Sequence, residues 1–238
     1  MDRVKQWMRE LLSAVQHIHS LEVIHRDLRP DKLCIGTTNE RKLTVIGFGQ
    51  ARVLDTENYT QERGNNLYKA IEMQIRLSET YDEKADVWST AAILCEMLTG
   101  IALFRSRNGR ERNNVIFAML ELCGPLDETI LAKVESCGEQ LRLRNLSVNK
   151  WRKNFIEILK QDLESNREIH EEDIENETFL EDFIDKTLQF DPNLRMSAKA
   201  ALAHPFLNSF IASEKTLPDN EEAAIDECKR LIFDMISG

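Results

Sequence analysis

The stretch HRDLRPDKLCIG, His25 to Gly36, followed by LTVIGFGQAR, Leu43 to Arg52, decides how this chain is read. Lys32 to Ile35 and Leu43 to Ile46 are short β-like pieces that bound the polar turn GTTNERK, so they predict a hairpin. Asp27, a carboxylate, stands just before the first arm, which opens on Lys32, whose ammonium donates three hydrogen bonds and accepts none. The other arm brings Gly47, which has no side chain at all.

Outward from this hairpin the periodicity is helical. From Val4 to His19 the residues Val4, Trp7, Met8, Leu11, Leu12, Val15 and Ile18 recur every three or four positions, which predicts one long helix ending near Ser20. Leu54 to Asn66 is polar and reads as an extended loop. DVWSTAAILCEMLTG, Asp86 to Gly100, is apolar almost all round, as a helix buried inside a domain is, and Gly100 is a natural terminator. Arg110 to Leu122 predicts another amphipathic helix. Asp127 to Glu177 is helical in tendency and charged, with a basic half and then an acidic half. Phe179 to Leu188 and Ala198 to Ala203 predict short helices, the second capped by Ser197. The tail from Glu221 places Ile225, Cys228, Leu231, Ile232, Met235 and Ile236 on one face of a final helix. With no internal repeat and no low-complexity linker, residues 1–238 read as one mainly helical domain.

Composition narrows the function. The net charge of −10 argues against general nucleic-acid affinity, because an acidic protein repels the phosphate backbone. The five cysteines (Cys34, Cys95, Cys123, Cys137, Cys228) are odd in number and lack CxxC spacing, so they read as reduced thiols, with neither a disulfide frame nor a zinc site. No apolar run approaches the roughly 18 residues a membrane span needs. The charged N-terminus is unlike a signal peptide. The expected location is cytoplasmic, nuclear or both, with no membrane and no nucleic-acid partner.

The order HRDL, GFG, AIE, DVWS and FDPNLR resembles the C-terminal lobe of a eukaryotic protein kinase, and FIDKTLQFDPNLRMSAKAALAHPFL (Phe183 to Leu207) is similar to the lobe-closing segment of the MAP kinases. The resemblance makes residues 122–178 the MAP-kinase-type insert and residues 221–238 the C-terminal extension helix. It implies a single kinase-like C-terminal lobe with the hairpin at its catalytic loop and the N-lobe absent, since no GxGxxG occurs. Asp27 falls at the family's catalytic base but is read as vestigial, a polar residue bracing the loop with no active catalytic residue expected, and Arg29 replaces the usual lysine of that loop. Lys32 falls where an asparagine, and Gly47 where an aspartate, would hold magnesium, a cation that wants oxygen ligands. Glu72 and Arg195 match a buried ion pair. Asp86 matches the residue that braces the catalytic loop, and His25 and Phe48 match stacking positions. Thr56 and Tyr59 stand near the family's activation switch and are candidate phosphosites.

Two readings follow. The first is a catalytically inactive pseudokinase lobe, not an enzyme and without metal or other cofactor, serving as an interaction or scaffold module. Its partner is another protein or a second copy of the chain, docked on Ile225, Leu231, Ile232 and Met235 and on an uncovered surface around Phe48, Val4, Trp7 and Met8, unless the tail itself refolds over that gap. The alternative is part of an active or nucleotide-binding Ser/Thr kinase, completed by an N-lobe on another chain or in a missing segment.

Overall fold

The apolar stripe of the first segment forms α1 (Asp2–Ser20), which buries Val4, Met8, Leu11, Leu12, Val15 and Ile18 along one side. This computed structural model describes residues 1–37, 42–54, 66–75, 81–105, 114–134, 136–147, 155–162, 174 and 179–208. The turn that ends α1 runs through Glu22, held in the left-handed region at φ 58°, and leads into β1 (Val23–Ile24). After the loop come β2 (Leu33–Ile35), β3 (Leu43–Val45) and β4 (Arg52–Val53). β2 and β3 pair antiparallel, with Leu33 opposite Val45 and Ile35 opposite Leu43. β1 and β4 also pair antiparallel, Val23 opposite Val53, so the two small sheets bracket the loop from both ends.

Helices supply the rest of the described structure. They are α2 (Ile71–Gln74), α3 (Lys84–Thr99), α4 (Asn114–Cys123), α5 (Glu128–Ala132), α6 (Cys137–Ser147), α7 (Phe155–Asp162), α8 (Leu180–Thr187), α9 (Ala198–Leu202) and α10 (Pro205–Asn208). α3 is the pillar: every residue from Ala85 to Cys95 is buried, and Trp88 stacks between Phe104 and Phe190 at 5.3 and 5.7 Å. Gly100 closes it at φ 75°, its amide donating to the Glu96 carbonyl at 2.7 Å, a conformation that a side chain would strain. Asp127 caps α5 and Ser197 caps α9, each accepting the amide three residues on. α1 packs on α3, β3, α9 and α10, with Lys5 Nζ 5.3 Å from the Phe206 ring and Arg9 donating to the Leu207 carbonyl.

Several expectations need correction. Lys32 lies in a 3-10 turn, Pro30–Lys32, and the first arm of the hairpin begins at Leu33. The β1–β4 pairing was not expected, because two residues per strand carry no periodicity. The charged segment after Asp127 forms separate helices, α5 to α7, among its described residues. Val4 and Met8 are not an uncovered surface: they are 6 % and 0 % exposed, because α1 is covered by the helices near residue 200. Trp7 is half-buried against the same core. The tail residues Ile225, Leu231, Ile232 and Met235, and the candidate phosphosites Thr56 and Tyr59, lie outside the described residues. No helix among the described residues is long and apolar enough to cross a membrane.

Candidate functional site

The loop between β1 and β2 is fixed from below by one carboxylate of α3. Asp86 accepts the His25 amide at 2.8 Å on Oδ2 and the Arg26 amide at 2.9 Å on Oδ1, and His19 Nε2 reaches Oδ2 at 3.0 Å. Two parallel backbone hydrogen bonds to a buried carboxylate hold Arg26 at φ 70°, a left-handed conformation that a non-glycine residue keeps only when its surroundings insist. Burial penalises the charge on Asp86, yet His19, the neighbouring His25 and the loop amides outweigh that and hold its carboxyl below the usual carboxylate range.

The histidine at the head of the loop ties the two arms together. His25 is fully buried; its Nε2 donates to the Ile46 carbonyl at 3.1 Å while Nδ1 accepts the Asp27 amide at 3.3 Å. These partners assign the Nε2–H tautomer. Its ring lies against Phe48, centroids 4.9 Å apart and tilted by 59°. Asp27 is thereby presented at the mouth of the loop. Its side chain is 13 % exposed and its carboxylate lies 3.3 Å from Arg29 Nε, and the other end of that guanidinium reaches Asp31 at 3.2 Å.

Lys32 and Gly47 face each other across the arms. The Ile46 amide donates to the Lys32 carbonyl at 2.9 Å, and Gly47 turns the chain at φ 85° into the 3-10 turn Phe48–Gln50. A Cβ added at Gly47 would meet Lys32 Cδ at 2.6 Å, Cε at 3.2 Å and Nζ at 3.4 Å. The lysine stem fills the space that a side chain at position 47 would take. The two residues are fitted to one another.

Asp27, Lys32, Gly47, His25, Phe48 and Asp86 thus converge on one site. Glu72 and Arg195 do not belong to it. They form a bidentate pair at 2.6 and 3.0 Å beside the start of α3, where Arg195 also donates to the Lys84 and Gln189 carbonyls and lies over the Trp88 ring. Trp7 stands apart on α1, near Arg3. Sequence reasoning missed His19, whose signal was its place in the last turn of α1 just before the loop. It also missed Tyr68, which donates to Glu96 at 2.5 Å while its carbonyl accepts Ser89 Oγ at 2.8 Å, fastening the segment before α2 to α3. Burial, and then the Glu96 carboxylate, push the Tyr68 hydroxyl well above its ordinary value.

Comparison with known proteins places this geometry in a family. The protein kinase domain profile matches residues 1–207. The mitogen-activated protein kinase pmk-3 of Caenorhabditis elegans is 30 % identical over 94 % of the chain, pmk-1 of the same organism 30 % over 99 %, and mitogen-activated protein kinase 13 of Mus musculus 28 % over 99 %. The chain covers 43 %, 59 % and 61 % of those relatives respectively. It belongs to the protein kinase family and is a MAP-kinase-like kinase domain. The fold is protein-kinase-like, mostly helical with small sheets. This corrects the expectation that the chain is not an enzyme, since the family profile runs through both Lys32 and Gly47. That expectation rested on Gly47 and Lys32 at both metal-ligand positions and on the missing nucleotide-gripping lobe, whereas the protein kinase domain match and the MAP kinase relatives point to a protein kinase enzyme.

Proposed function

We propose that this chain is the phosphoacceptor-side part of a Ser/Thr protein kinase. Residues 1–238 form one kinase-like lobe, with 122–178 as the insert and 221–238 as the C-terminal extension. The glycine-rich loop and lysine that grip a nucleotide are contributed by polypeptide other than these 238 residues. The observation that carries the reading is the Asp86 clamp, which locks the His25 and Arg26 amides and so presents the Asp27 carboxylate at the mouth of the loop.

Asp27 is the proton acceptor. As a serine or threonine hydroxyl oxygen forms its bond to the γ-phosphorus, the bond from that phosphorus to the bridging oxygen of the nucleotide breaks, and the hydroxyl proton passes to Asp27. Arg29 keeps the carboxylate oriented, and His25 and Asp86 keep the loop from relaxing. Positioning, more than any covalent chemistry, is what such a site contributes.

The test is transfer of radiolabelled phosphate from ATP to a protein acceptor by the native protein, compared with Asp27→Asn. Loss of a positioned general base is expected to lower the rate by about 100-fold or more. An Asn variant as active as the wild type would refute the assignment.

A further inference from the structure

The resemblance assigns magnesium ligands to positions 32 and 47, and the residues present do not fit that ion. Gly47 offers no oxygen, Lys32 brings an ammonium, and the lysine stem occupies the room a carboxylate at 47 would need. Among the described residues no cluster of three His, Cys, Asp or Glu side chains could hold a metal elsewhere. What the site offers in that place is a fixed positive charge. Lys32 is half-buried, and among the described residues its ammonium makes no hydrogen bond or ion pair, although Arg29 beside it is engaged by Asp27 and Asp31. The turn that faces it is open: Gly47 is exposed, and a Cβ at Gly49 would meet nothing within 4 Å.

We infer that Lys32 Nζ is a direct binding group for the phosphate chain of the nucleotide, standing where a divalent cation would otherwise neutralise it. A primary ammonium is a compact point charge that binds phosphate oxygens well, and its four-carbon stem needs the glycine at 47 as a bed. Phosphate binding and the absence of a side chain at 47 are therefore one adaptation. The inference rests on the kinase reading above and gives that site its own means of holding phosphate.

Isothermal titration of the 238-residue chain with sodium tripolyphosphate in EDTA tests this. Saturable binding is expected with no divalent ion present. Lys32→Ala is expected to weaken it by about tenfold or more, the loss of one charge-assisted hydrogen bond, whereas Lys32→Arg stays within about threefold. Gly47→Ala, which keeps the lysine but removes its bed, is expected to weaken it as Lys32→Ala does. No binding in EDTA, binding that appears only with magnesium, or an unaltered Lys32→Ala variant would each overturn the inference. Lys32→Ala is read by tripolyphosphate binding in EDTA, whereas the proton-acceptor assignment is read by phosphoryl transfer in Asp27→Asn, so failure here and failure of that assignment are read from different measurements on different variants.

Discussion

Asp86 carries the most consequence per atom in this molecule. It is 1 % exposed, accepts two backbone amides and a histidine, and fixes the conformation of residues that lie 61 and 60 positions before it in sequence. Because its folded carboxyl titrates below the ordinary value of 3.8, the charged form adds stability that is complete above that value and is lost as the pH falls beneath it. Asp86→Asn keeps the shape while removing the charge. It is expected to be less stable than the wild type near neutral pH, and the gap is expected to narrow as the pH drops below 3.8, in urea unfolding followed by circular dichroism. A gap that widens in acid would contradict the direction of the shift. The same residue shows how the sequence can name a participant without its partners: Asp86 is legible from the DVWS motif, but His19 is joined to it only by the path of the chain.

Elements were legible where their periodicity was long. The stripe in α1 and the all-round apolarity of α3 needed no tertiary information, since each follows from how much of a helix is covered. β1 and β4 were not legible, because two residues cannot display alternation. Nor was the packing of Lys32 on Gly47, which joins positions 15 apart through a turn whose backbone had to be known first. The reading of Val4 and Met8 as uncovered failed for a related reason: a stripe shows which side is apolar, but not what lies on it. The α1 face can be probed directly. Met8→Ala is expected to cost roughly 2–5 kcal/mol by opening a cavity in the core, while Ser13→Ala on the exposed side is expected to stay within about 0.5 kcal/mol. Urea midpoints at constant slope distinguish the two.

At the scale of the whole molecule, one ion pair closes the lobe. Glu72 and Arg195 are 123 positions apart, and both are buried. Removing either partner leaves an uncompensated charge in the interior, so Glu72→Ala or Arg195→Ala is expected to cost roughly 3–5 kcal/mol. The double variant is expected to cost clearly less than the sum, because the second change removes the orphan left by the first. Equilibrium unfolding of the three variants measures this, and strict additivity would show that the pair is not a coupled unit.

The seat of α1 beneath α9 and α10 also sets a timetable. The helix is translated well before the segment that covers it, with roughly 180 residues between them. At ribosomal speeds that interval is on the order of ten to forty seconds. Throughout it, part of the face that carries Val4 and Met8 lacks its final cover, although helix formation itself takes about a microsecond. During synthesis, then, α3 and β3 are available to cover part of this helix long before α9 and α10 emerge, so its apolar side is closed over in two stages.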